Sequence, residues 1–156
     1  MSSLSIELPT VYFKVSIDEI IQGEKEKRGF RTYLSIKWSN VTFKVRKVRF
    51  IGRVADIVSR DKFTDLLVID ETGGIIVRGW DEKSNILNKF SINDLVEVFG
   101  TIRMFGEEVY INPIIIKRLL KDNSEKRKKA IEENRKYIIG FYTSEKLNAK
   151  AQQKEG

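Results

Sequence analysis

Two short stretches set an arginine and an aromatic ring two residues apart: Arg78-Gly79-Trp80 and Arg103-Met104-Phe105. Side chains alternate between the two faces of a β-strand, so in an extended chain each arginine shares a face with its ring. Arg49 and Arg53 share a parity with Ile51, Tyr110 shares one with Asn112, and Lys62 precedes another extended stretch. Rings with guanidinium groups between them suit single-stranded nucleic acid, whose bases stack on aromatic faces for ~1–3 kcal/mol each while cations track the phosphates. Duplex DNA hides the faces of its bases, and no helix suited to the major groove is visible outside the C-terminal one, which carries an apolar seam. Taken singly, Trp80 reads as well as a cap on a barrel core and Phe105 as a turn residue packing on its neighbour. The repeated pairing, on parities assigned independently, favours the ligand.

Other chemistries find less support. The 156 residues include no cysteine and no histidine, which removes disulfides, thiolate zinc sites, cysteine nucleophiles and imidazole bases. Asp61, Asp65, Asp70, Asp81 and Glu82 are available carboxylates, but none has the spacing of a metal loop. We therefore expect no metal, no cofactor and no catalysis. The 29 Lys and Arg against 22 Asp and Glu suggest a polyanionic partner, yet residues 1–116 hold 17 basic and 16 acidic side chains, so the excess lies in residues 117–156, with 12 and 6. No run approaches the ~20 apolar residues of a membrane span and no secretory leader is evident, so the expectation is a soluble, intracellular protein. Richness in Lys, Glu, Arg and Ile fits a thermophile's usage.

The elements that must carry these residues follow from periodicity. Residues 1–9 read as a polar arm, and Ser16 to Gly23 as a short helix, with Ser16 and Glu19 as a capping box and Ile17, Ile20 and Ile21 as its buried side. Glu24 to Arg28 reads as a loop, and Phe30 to Trp38 as a half-buried strand with Phe30, Thr32, Leu34, Ile36 and Trp38 on one parity. Ser39-Asn40 permits a tight reversal into a long strand from Val41, in which Gly52 allows a bend or bulge. Phe63–Ile69, a Thr72-Gly73-Gly74 turn and Ile75–Trp80 make a hairpin. A short helix within 81–90 precedes strands 95–105 and 109–117, and Pro113 argues for an edge or a bulge.

Five principal strands, the first one bent, with a helix between the third and fourth, are the parts of an all-β, five-stranded OB-fold Greek-key barrel, its core about 41–118 within a domain of 1–118. An SH3-like barrel is the competing architecture, though it does not need that helix. Residues 122–141 form a C-terminal helix opening at Asp122 and Glu125 and stopping near Gly140, with Ala130, Ile131, Asn134, Tyr137, Ile138 and Phe141 on one stripe. Residues 142–156 read as a disordered tail.

The segments VSIDEIIQG, VRFIGRV, VIDETGGIIVRGW and DLVEVFGTIRMFGEEVYI, in this order over roughly residues 11–118, resemble the OB domain of the middle subunit of replication protein A, the single-strand-binding heterotrimer of eukaryotes and archaea. The resemblance implies single-stranded DNA stacked on Trp80 and Phe105, in the service of replication, repair and recombination. It also implies that the C-terminal helix docks into a three-helix bundle with two partner OB-fold subunits. The same stripe would serve a helix that merely plugs its own barrel. The long phosphorylatable arm and the winged-helix domain of the eukaryotic pattern are missing, so an archaeal source, with a cytoplasmic, nucleoid-associated site of action, is expected rather than a nuclear one.

The expected function is thus a non-catalytic binding subunit in which Trp80 and Phe105 stack on bases, Tyr110 lines the same face, and Arg78, Arg103, Arg49, Arg53 and Lys62 neutralise phosphates. A scaffold that holds OB-fold partners and binds little DNA itself is the alternative from another class. Telomere-capping and RNA-binding OB proteins are variants of the first reading, since stacking does not distinguish ribose from deoxyribose.

Overall fold

The computed structural model describes the backbone of residues 4–120 and 124–155, and the side chains of 4–120 and 125–143. The chain order is β1 (Leu4–Lys14), α1 (Ile17–Gln22), β2 (Lys25–Arg28), β3 (Arg31–Trp38), β4 (Val41–Ser59), β5 (Phe63–Ile69), β6 (Gly74–Trp80), α2 (Glu82–Leu87), β7 (Leu95–Phe105), β8 (Glu108–Arg118) and α3 (Ser124–Glu155). The strands and α3 fall into two separate units.

Alternating apolar residues bend the sheet into a barrel because each strand has one face to bury. Val48, Phe50 and Val54 of β4, Leu66 and Val68 of β5, Val77 of β6, Val96, Val98 and Ile102 of β7 and Ile111 of β8 are all at most 3% exposed. Burying each such side chain contributes ~1.5–3 kcal/mol. β4 pairs antiparallel with β5 through Arg53 to Ser59 and with β7 through Lys47 to Arg53. β5 pairs with β6 and β7 with β8 in the same sense, and a short parallel contact of Ile76 and Val77 with Tyr110 and Ile111 closes the ring. The order β4-β5-β6-β8-β7, with α2 between the third and fourth barrel strands, is the OB Greek key rather than an SH3-like barrel. Thr64, fully buried, and Ser84 share a 2.6 Å hydrogen bond that satisfies both hydroxyls and seats α2 on β5.

The N-terminal region departs from expectation. Residues expected as a polar arm and a loop are strands: β1 runs parallel to β4, and β2 pairs with β3. In β1, Ile6 and Leu8 alternate with Ser5 and Glu7, and both apolar side chains are 2% exposed. That period-two signal is short and ends at Pro9, where the register with β4 shifts. β2 is a charged edge strand, whose lysines and glutamate discourage pairing with a further chain. Gly52 makes no bulge; the bulge lies between Val54 and Asp56, and Gly52 instead lets β5 approach, since a Cβ there would stand 2.6 Å from the Ile69 carbonyl oxygen. Pro113 does sit at an irregularity, where β8 slips by one residue against Phe99 and Gly100.

Ser16 caps α1, whose Glu19 carboxylate accepts the Ser16 backbone N–H at 3.1 Å. The Asp70 carboxylate then ties three segments together, accepting the N–H groups of Thr72 at 2.7 Å and Gly73 at 3.1 Å with one oxygen and that of Ile17 at 2.9 Å with the other. It shapes the β5–β6 turn and fastens α1 to it.

α3 continues through Gly140 to Glu155, beyond the expected stop and into the stretch expected as a disordered tail. One glycine costs a helix only ~1 kcal/mol, and the Leu, Ala, Lys, Gln and Glu that follow are strong helix formers. The expected cap residue Asp122 lies outside the described residues. No helix among the described residues is long and apolar enough to cross a membrane.

Candidate nucleic-acid interface

The β5–β6 hairpin sets the geometry. Its register places Phe63 opposite Trp80 and Asp65 opposite Arg78, all directed away from the core. The Phe63 and Trp80 rings lie 4.7 Å apart at 46°, and Trp80 is 45% exposed. Arg78 donates to both oxygens of the Asp65 carboxylate, at 2.7 and 2.9 Å, a bidentate pair whose fixed fork holds the guanidinium in one orientation. Its carbon rests 4.7 Å from the centre of the Phe63 ring and 5.1 Å from that of Tyr110. The hydrogen bonds to Asp65, more than any other influence, raise the Arg78 pKa above its ordinary value.

β8 and β7 extend the row. Tyr110 stands opposite Arg103, and Phe105 opposite Glu108 at the entrance to the β7–β8 turn. Phe105 is 76% exposed. Thus Trp80, Phe63, Arg78, Tyr110, Arg103 and Phe105 succeed one another across β5, β6, β8 and β7. Lys62 lies in the exposed β4–β5 connection, and its carbonyl accepts the Asp81 N–H at 3.3 Å, which places it at the Trp80 end. Asp81 itself has φ +53° and ψ −116°, a strained conformation for a non-glycine residue directly after Trp80.

Arg49 and Arg53 do not join this row. Arg49 pairs with Glu97 at 3.0 Å and covers the Phe99 ring at 4.6 Å, on the β4–β7 seam. Arg53 donates to the Asn93 carbonyl at 3.0 Å and faces Ile69, at the far end of β5 from Phe63. Six residues separate those ends, ~20 Å of strand. Arg49 and Arg53 do share a face of β4 with Ile51, but which neighbouring strand each arginine meets depends on the staggered pairing of β4 with β5 and β7.

Phe63 and Asp65 were missed from the sequence, although a signal existed. Counting outward from the turn, Ile69 faces Gly74, so Asp65 must face Arg78 and Phe63 must face Trp80. In α3, Ala130, Ile131, Asn134, Tyr137, Ile138 and Phe141 recur at helical spacing but do not share one exposure: Ile138 is buried at 9%, whereas Tyr137 and Phe141 are 73% and 50% exposed.

No family model matches the chain. It is 28% identical over 145 residues, 91% of its length and 84% of the relative's, to an uncharacterized 18.7 kDa protein of a ribosomal RNA operon in Thermofilum pendens. It is 33% identical over 81 residues to replication factor A protein 2 of Schizosaccharomyces pombe, a match that spans 52% of this chain but only 28% of the yeast protein. Among solved structures, a replication protein A heterotrimer bound to single-stranded DNA superposes with a TM-score of 0.57 at 20% identity, over 72% of this chain and 84% of the other. The S. pombe Stn1–Ten1 complex gives 0.62 at 19%, over 89% and 99%. The chain is an OB-fold protein built like those of replication protein A.

Proposed function

We propose that this protein is a non-catalytic single-stranded DNA-binding subunit of a replication protein A-like complex. The observation that carries the reading is the row on the outer barrel face: two exposed rings, Trp80 and Phe105, with Arg78, Tyr110 and Arg103 between them. Bases stack on the two rings, and Arg103 and Lys62 meet phosphates. Arg78, committed to Asp65, holds Phe63 and Tyr110 in place as the floor between the stacking positions. The exposed part of the α3 stripe, Tyr137 and Phe141, is the surface for partner OB-fold subunits, in keeping with the heterotrimeric and paired assemblies of the two similar structures.

The test is anisotropy of labelled oligo-dT beside duplex of equal length, at low and moderate salt, with wild type and the double variant Trp80→Ala/Phe105→Ala. Preference for the single strand that is lost in the double variant is the expected result, at ~1–3 kcal/mol per ring. A second reading, a scaffold with little DNA binding of its own, draws on the ion pairs that occupy Arg78 and Arg49. Equal binding of duplex and single strand, unchanged in the double variant, would establish that reading instead.

A further inference from the structure

Phe30 is 98% exposed at the tip of the β2–β3 hairpin, where alternation along the strand had placed it on the buried parity of Leu34 and Ile36. The reason lies in the turn. Arg28 pairs with Arg31, so Gly29 and Phe30 are the two turn residues, and Gly29 adopts φ +65°, which a side chain rarely tolerates. The tip is anchored rather than loose. Arg28 covers the Tyr33 ring at 4.4 Å and pairs with Glu26 at 3.1 Å and with Glu7 of β1.

The anchoring reaches the candidate interface. Arg103 donates from Nη1 to the Phe30 carbonyl at 3.1 Å, so the hairpin tip is bound to the very residue that stands opposite Tyr110. Phe105 follows Arg103 by two residues, and its turn uses Gly106 at φ +61°. Two turns, each carrying a phenylalanine beside a left-handed glycine, therefore meet at Arg103. Arg31, next to Phe30, is exposed and has no ion-pair partner among the described residues.

On the reading proposed above, we infer that the β2–β3 tip is a further stacking position for the same single strand. Phe30 takes a base to the side of the row at Arg103, and Arg31 meets its phosphate. A single strand is the occupant that fits, because the exposed ring is held beside Arg103 of the row and Lys27 and Arg31 add positive charge beside the Arg28–Glu26–Glu7 cluster. The N-terminal strands then do more than brace β4: they lengthen the binding path.

The experiment is a length series of labelled oligo-dT, spanning the ~4–16 nucleotides that OB folds cover, against wild type, Phe30→Ala, Phe30→Trp and Trp80→Ala/Phe105→Ala. Expected is unchanged binding of the shortest strands by Phe30→Ala, and a loss of about 5- to 150-fold for the longer ones, the contribution of one stacked base. Phe30→Trp should restore affinity, and its added fluorescence should be quenched by long strands only. If Phe30→Ala equals wild type at every length while the double variant loses binding, this inference fails and the proposed function stands. If the double variant keeps full affinity, the proposed function fails and takes the inference with it. A concentration-dependent dimer that Phe30→Ala abolishes, without any length effect, would make the tip a protein contact and overturn the inference too.

Discussion

Replacing Arg78 by methionine keeps most of the side chain's length and apolar stem but leaves the Asp65 carboxylate without its partner. Both side chains are largely buried, at 16% and 12% exposure, so Asp65 cannot recover its hydration fully. Breaking such a pair from one side costs ~3 kcal/mol or more, because a charge stays behind in a poorly solvated site. The residual exposure places this case at the lower end. Replacing both partners, as Arg78→Met/Asp65→Leu, removes the stranded charge and should bring stability back to within ~1 kcal/mol of wild type. With either single change costing ~3 kcal/mol and the double ~1, the coupling energy of the cycle is ~5 kcal/mol, well above the few tenths seen between independent sites. Urea unfolding followed by far-ultraviolet circular dichroism measures all four proteins, with an unchanged slope expected for each. Salt dependence supplies the functional arm. A cation that meets one phosphate of a single strand contributes ~0.7 to the slope of log affinity against log salt, so Arg103→Ala should lower the slope by that amount and Arg78→Met should not. Single variants costing under ~1 kcal/mol with no coupling would refute the reasoning, since Arg78 would then be a surface cation free to serve phosphate.

Asp81→Gly should stabilise the barrel by ~1 kcal/mol, because glycine adopts φ +53° without steric penalty; a thermal melt checks this, and unchanged or lowered stability counts against strain at Asp81. The Asp94 carboxyl is held below its ordinary value of 3.8, first by the Ser91 N–H it accepts and then, against burial, by Arg118. A carboxyl whose folded value is depressed contributes stability in full above its unfolded value and loses it as pH falls through the folded one. Asp94→Asn should therefore lower the melting temperature at neutral pH, and the difference from wild type should vanish in acid below the folded pKa. Leu8→Ala, in a strand where the sequence suggested a polar arm, should cost ~2–5 kcal/mol, against almost nothing if those residues were an arm. Because Tyr137 and Phe141 leave apolar surface exposed, the isolated chain should self-associate at high concentration and Tyr137→Glu/Phe141→Glu should abolish that, read by sedimentation velocity.

Signals that act over a few residues are legible in the sequence alone. The barrel strands from Val41 onward, α1 with its Ser16–Glu19 cap, the Thr72–Gly74 turn and the irregularity at Pro113 all follow from period, capping and turn chemistry, which are local properties of the chain. So did the identity of Trp80 and Phe105 as exposed rings, because a strand's parity assigns a face once its neighbours are apolar. The N-terminal strands were not legible. LSIEL is too short to outweigh the proline that ends it, and KEKR forms a strand only because β3 is there to accept its hydrogen bonds. Nor could the chain order say which cations share a site. Arg49, Arg53 and Arg78 look equivalent in sequence, but the stagger between strands sends the first to Glu97, the second to the far end of β5 and the third to Asp65. Phe30 reversed its expected face for the same reason: alternation holds within a strand and ends at its turn. Pairing between strands distant in sequence is decided by closure of the whole barrel, and it is that closure which brings the tip of a hairpin at residue 30 against Arg103.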